Sequence, residues 1–159
     1  ENSFELPQAD HLFICLGFPV ELLDLIVMRG SVKKLFYKVD YDYVCHLAEK
    51  AKSNGIGNVS VISAVGAHAK SLNYYLKTKG MLEKEIIKLG FETTNIFQPG
   101  HLRGNKLRLD IIFADLVSIV IDPFLHGPLK KFRSISVKKL SSSVINYSLS
   151  SVKGVNYFE

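Results

Sequence analysis

Three apolar segments, each stopped by a glycine, a proline or a small-residue loop, alternate with two stretches of helical periodicity, and that alternation leaves this chain few folds to adopt. His11-Leu-Phe-Ile-Cys-Leu16 is a continuous apolar run ended by Gly17, the pattern of a strand covered on both faces. Val59-Ser-Val-Ile-Ser63 and Thr93 to Gln98 read as two more strands, the latter stopped by Pro99-Gly100. Between the first two, Ser31 has the chemistry of an N-cap, and apolar residues recur at Val32, Leu35, Phe36, Val39, Tyr43, Leu47 and Ala51, one face of an amphipathic helix ended by Gly55 and Gly57. Asn73 to Leu89 predicts a second helix closed by Gly90. Strand, helix, strand, helix, strand at these lengths is the signature of parallel βαβ units, whose right-handed crossovers set helices over both faces of a sheet. The expected class is α/β, a three-layer αβα arrangement with a mostly parallel sheet.

The remainder predicts a helix around Ile111 to Ile121, a connection punctuated by Pro123, Gly127 and Pro128, a helix near Val137 to Leu149, and a final strand at Val155 to Phe158. Phe18 to Gly30 is an unusual connection, with Pro19 and the apolar group Leu22, Leu23, Leu25, Ile26, Val27 and Met28; a short helix packed on its own domain is expected ahead of a flap or a partner-facing patch. With 159 residues, 47% of them hydrophobic and 22% charged, a single domain spanning residues 1–159 is the default. The run from Leu22 to Met28 is interrupted by Asp24 and falls far short of the ~20 residues that cross a bilayer. Cys15 and Cys45 fit neither a disulfide framework nor a zinc pattern, and the five histidines form no metal-type pair at helical spacing, so no metal and a reducing, cytoplasmic compartment are expected. Charge is uneven. Eleven basic residues balance eleven acidic ones through Pro99, whereas nine basic residues face four acidic ones from Gly100 onward. Lys130, Lys131, Arg133, Lys138 and Lys139 lack an aromatic stacking pattern, which reads as a solvated face and not as a nucleic-acid site.

In an open parallel sheet ligands bind beyond the carboxyl ends of the strands, which directs attention to Gly17, Ser63 and Pro99-Gly100. Twelve residues after Ser63, Tyr75 lies near the start of a helix, and Lys79 follows one turn later on the same face. A phenol, an ammonium and a serine hydroxyl suit proton exchange with a carbonyl or alcohol oxygen. A free tyrosine ionises near pH ~10, so action as a base near neutrality needs a shift of about three units, roughly 4 kcal/mol, and an adjacent ammonium acts in that direction.

The segments Phe13-Ile-Cys-Leu-Gly17, Val39-Asp-Tyr-Asp-Tyr-Val44, Val61-Ile-Ser-Ala-Val-Gly-Ala67, Tyr75-Leu-Lys-Thr-Lys-Gly80 and Phe97-Gln-Pro-Gly-His-Leu102 occur in an order and spacing that resembles the short-chain dehydrogenase/reductase superfamily. The likeness is to its atypical branch of Tat-interactive oxidoreductase-like NAD(P)-binding proteins, strongest from His11 to Gly104. The resemblance implies a Rossmann-like fold and hydride transfer between NADP or NAD and a small carbonyl or alcohol substrate. It also implies a catalytic Ser63, Tyr75 and Lys79, with Lys79 holding the nicotinamide ribose as well. Leu16 and Gly17 would then flank the adenosine half of the cofactor, with Pro99, Gly100 and Leu102 bordering the nicotinamide.

The chain departs from that family at its start. No Gly-x-x-Gly-x-x-Gly precedes Leu16, so the turn that cradles a dinucleotide pyrophosphate, with the first βαβ unit that carries it, is missing. Since Glu1 leads within a few residues into an apolar strand, the expectation is the carboxyl-terminal portion of a reductase, with weak cofactor binding by this portion alone. Two other readings compete with the enzyme: a non-catalytic regulatory or scaffold protein that meets a protein partner or a second copy of itself, and a membrane-surface or nucleic-acid contact through the basic tail and the apolar insertion.

Overall fold

The computed structural model describes residues 6–21, 23–103, 121–150 and 152–159. Strands β1 (His11–Ile14), β2 (Asn58–Ile62), β3 (Thr93–Phe97) and β6 (Gly154–Phe158) form a sheet in the order β1-β2-β3-β6, with every neighbouring pair parallel. A two-residue pair, β4 (Leu102–Arg103) with β5 (Ile135–Ser136), stands apart from it. The helices are α1 (Gly30–Tyr37), α2 (Tyr43–Ser53), α3 (Tyr74–Lys88) and α4 (Val137–Ser150). Strands alternating with helices in a parallel sheet give the α/β, Rossmann-like class expected from the sequence. The predicted helix over Ile111 to Ile121 falls, except for its last residue, outside the described residues.

The two faces of the sheet are chemically different. Ile14, Val59, Val61 and Ile96 point to one side, where they pack with Val44 and Ala48 of α2, Leu82 and Ile86 of α3, and Phe91. The other side carries a polar row. Ser60, Asn95 and Asn156 sit opposite one another across β2, β3 and β6, and Ser60 Oγ meets His11 Nε2 at 2.8 Å, Ser148 Oγ of α4 at 2.7 Å and Asn95 Nδ2 at 3.2 Å. Asn156 Nδ2 extends the row by donating to Asn95 Oδ1 at 3.1 Å. Buried polar groups are tolerated when they bond one another, and here they also fix strand register, because a slip by one residue would set amides against the apolar face.

Several local expectations change. β1 is an edge strand among the described residues, with Phe13, Cys15 and Leu16 exposed, so its apolar run is not covered on both faces. The first helix begins at Gly30 with Arg29 as its cap residue and no side-chain cap bond, which places Ser31 inside the first turn and not at the N-cap. The stretch after Pro19 is a tight turn around Glu21 to Val27 and not a packed helix; Asp24 and Met28 turn inward while Leu23, Ile26 and Val27 are exposed. Asn73 does cap α3, its side chain accepting from the Leu76 N–H at 3.0 Å, and Gly90 follows the helix at φ +65°.

The largest change is inside the helix predicted from Ser31 to Ala51. A π turn over Lys38–Asp42 separates α1 from α2 and adds a residue to the helical path. Phe36, Asp40, Val44, Ala48 and Ala51 are consequently the buried positions, in place of the expected series through Val39, Tyr43 and Leu47.

The loop before α3 lies directly on that helix at Gly80, where an added Cβ would overlap the His68 carbonyl carbon and the Ala69 amide nitrogen. Backbone on both sides cannot yield as a flexible side chain would. Gly80→Ala is therefore expected to cost about 1–3 kcal/mol, seen in urea unfolding and as a drop of about 2–4 °C in Tm per kcal/mol. An unchanged midpoint would show that this loop is free to lift.

Candidate functional site

Parallel strands end on one side of a sheet, and backbone bonds tie these ends into a continuous rim. Ser63 N–H donates to Phe97 O at 2.7 Å, Val65 N–H to Pro99 O at 3.1 Å, and Gln98 N–H to Phe158 O at 2.7 Å.

α3 carries Tyr75, Lys79 and Glu83 at successive i+4 positions, one stripe along a single helix face. Each meets a different neighbour. The half-buried Tyr75 ring stacks on Phe36 with centroids 5.3 Å apart. Lys79 Nζ donates to Asp40 Oδ1 at 2.6 Å, an ion pair between side chains that are both buried. Glu83 Oε1 accepts from the Ser63 hydroxyl and from Gln98 Nε2, the latter at 2.8 Å.

Asp40 gathers the pieces. Besides Lys79 it accepts the Phe18 N–H at 2.6 Å on Oδ2, and a Cβ at Gly17 would stand 3.6 Å from its Oδ1. The rim beyond β1, the π turn and α3 thus converge on one carboxylate. The electrostatics follow from this convergence. Burial, reinforced by the negative charge of Asp40, pushes the Tyr75 phenol up to about 12. The depression expected from Lys79 is not found: its ammonium is paired with Asp40, whose charge acts on Tyr75 in the opposite direction. Burial also raises the Glu83 carboxyl, against the opposing pull of Gln98, Ser63 and Lys79.

The residues singled out from the sequence divide into three groups. Tyr75, Lys79 and Gly17 lie around Asp40, whereas Ser63 reaches the same α3 stripe through Glu83. Pro99 and Gly100 lie on the rim, and Gly100 is pressed so closely that a Cβ would come within 2.6 Å of Arg133 O. Leu102 belongs to the separate β4–β5 pair, and Leu16 is exposed just past β1. Asp40 and Glu83 were missed by sequence reasoning. The signals that could have found them are the four-residue spacing Phe36, Asp40, Val44, Ala48 and the continuation of Tyr75 and Lys79 to Glu83.

What such an arrangement can do is limited by its charges. A phenol that stays protonated at neutral pH is a proton donor, and a serine whose hydroxyl is held by a carboxylate presents an acceptor oxygen.

No family model matches the chain. Its sequence is similar to "Protein FMP52, mitochondrial" of Candida albicans, 46% identical over 77 residues, which is 48% of this chain and 33% of that protein. "Protein FMP52-1, mitochondrial" of Scheffersomyces stipitis is 37% identical over 92 residues, covering 58% of this chain and 40% of that one. The match thus spans well under half the length of these relatives. Their names overturn the cytoplasmic location read from the cysteines, since two unpaired thiols do not separate that compartment from a mitochondrial one. Among solved structures, Bacillus cereus enoyl-acyl carrier protein reductase with NADP+ superposes with a TM-score of 0.59 at 18% identity, covering 93% of this chain and 62% of that one. UDP-N-acetylglucosamine 4-epimerase from Bacillus cereus gives 0.62 at 17% identity, covering 94% and 57%. A short chain dehydrogenase/reductase family protein gives 0.59 at 19%, covering 96% and 66%. At these identities the likeness is one of architecture, and the chain shares the Rossmann-like fold of the short-chain dehydrogenases and reductases.

Proposed function

We propose that this chain is part of a mitochondrial NAD(P)H-dependent reductase of the short-chain type, acting on a small carbonyl compound. The observation that carries the reading is the α3 stripe of Tyr75, Lys79 and Glu83 facing Phe36, Asp40 and Ser63 next to the sheet's carboxyl rim. Tyr75 stays protonated far above neutrality, which suits delivery of a proton to a carbonyl oxygen better than abstraction of one from an alcohol. Lys79 is held by Asp40 beside Tyr75, and Ser63 orients the reacting oxygen.

The residues fit one half of a nicotinamide dinucleotide. Tyr75, Lys79, Pro99 and Gly100 would hold the nicotinamide ribose side, with Gly17, whose added Cβ would make an ordinary 3.6 Å contact with Asp40 Oδ1, toward the adenosine half. Residues 1–16 contain no glycine and so offer no glycine-rich turn to cradle the pyrophosphate. Hydride exchange is the chemistry that NADP or NAD supplies when bound.

Thermal melting with NADPH and NADH tests the reading on the product of the whole gene. A ligand at 100 times its Kd stabilises by about 2.7 kcal/mol, so a rise of several degrees is expected with one dinucleotide. Flat curves with both would favour the non-catalytic scaffold.

A further inference from the structure

Ser63 has one hydroxyl proton, and in this structure that proton points at Glu83 Oε1. The same oxygen receives Gln98 Nε2–H, so strand ends β2 and β3 both donate to one buried carboxylate on α3. A serine committed in this way can accept a hydrogen bond from a substrate but cannot donate one. Reduction of a carbonyl needs the opposite, a hydroxyl that donates to the substrate oxygen. Resting on the reductase reading above, we propose that Glu83 is a positioning residue whose protonation reverses the Ser63 hydroxyl, from acceptor for an alcohol when Glu83 is ionised to donor for a carbonyl when Glu83 is neutral.

The proton balance is simple. One proton from solvent adds to the Glu83 carboxylate, the carboxyl O–H then donates a hydrogen bond to Ser63 Oγ, and the Ser63 O–H, still bonded to Oγ, turns to donate toward the substrate side. No bond to carbon forms or breaks. The groups that face Glu83 set where this happens. Ser63 and Gln98 donate from the ends of β2 and β3, and Lys79 contributes positive charge from the same helix, partly cancelled by Asp40 in the π turn. The Tyr157 phenol on β6 is raised by burial and, in smaller part, by the nearby Glu83 charge. Burial works against the charged form and raises the Glu83 carboxyl above its ordinary value.

Carbon-13 NMR of the chain decides the matter without cofactor or turnover. From about pH 4 to 9 the Glu83 Cδ resonance should titrate above the ordinary ~4.3, and the Ser63 Cβ resonance should move with the same midpoint. In Glu83→Gln, which keeps the volume, Ser63 Cβ should be flat; in Ser63→Ala, which deletes a donor to the charged form, the Glu83 midpoint should rise by about one unit. A Ser63 Cβ that ignores the Glu83 titration in the wild type overturns the proposal, as does a Glu83 midpoint unmoved by Ser63→Ala. The wild-type curve suffices should either variant fail to fold. A joint titration in this chain, with no dinucleotide bound by the product of the whole gene, would sink the reductase reading and leave the Ser63–Glu83 coupling standing. In an active form, carbonyl reduction should decline above the Glu83 midpoint, and Glu83→Gln should remove that decline.

Discussion

Replacing Asp40 by alanine should cost about 3–5 kcal/mol of stability, because it strands the Lys79 ammonium in a site from which water is largely excluded. The Phe18 N–H loses its acceptor in the same change. Urea unfolding reads the loss directly, and replacing the pair together, Asp40→Leu with Lys79→Met, should recover most of it, since two well-packed apolar side chains avoid both desolvation costs. The gentler Asp40→Asn gives a second reading. Removing the negative charge takes away one cause of the raised Tyr75 phenol and leaves the Lys79 ammonium to favour phenolate, so the ionisation midpoint should fall below about 12 in an ultraviolet titration. The sign for stability follows. With a folded value above the ordinary ~10, Tyr75 favours the folded state fully below pH ~10 and that contribution is lost as pH rises through about 12. Asp40→Asn should move this alkaline limit downward. If neither stability nor the Tyr75 midpoint changes, Asp40 is not the hub described above.

Tyr75→Phe is expected to lower kcat for carbonyl reduction by about 10²–10⁴ in the product of the whole gene, with little effect on folding. The ring keeps its stacking on Phe36, so the substitution removes a proton and not a packing element. Steady-state rates on a panel of aldehydes and ketones measure it. Unchanged turnover would place the proton donor elsewhere.

How much of this was legible in the sequence depends on whether a local pattern or a tertiary contact made the decision. β2, β3, α3 and β6 lie within a residue or so of their expected bounds, because their apolar runs end at Gly90, at Pro99-Gly100 and at the Asn73 cap. The π turn was not legible. The series from Val32 to Ala51 suits an uninterrupted α-helix, and a surplus residue leaves no mark in a spacing of threes and fours. Asp40 and Glu83 were hidden for a related reason: an acid among polar neighbours on a helix reads as solvated until a buried lysine or serine is seen to meet it. The polar face of the sheet was equally hidden, since Ser60, Asn95 and Asn156 lie on separate strands and only the pairing of those strands brings them into one row.

One codon separates two versions of the helix that carries Phe36 and Asp40. In a regular α-helix each residue turns the path by about 100°, so deleting a single amino acid between positions 38 and 42 would swing the preceding turns by that angle relative to those that follow. Phe36 would leave the Tyr75 ring while almost every letter of the gene stayed the same. Homologues that differ here by one residue in length should be sorted by that gap before they are sorted by percentage identity.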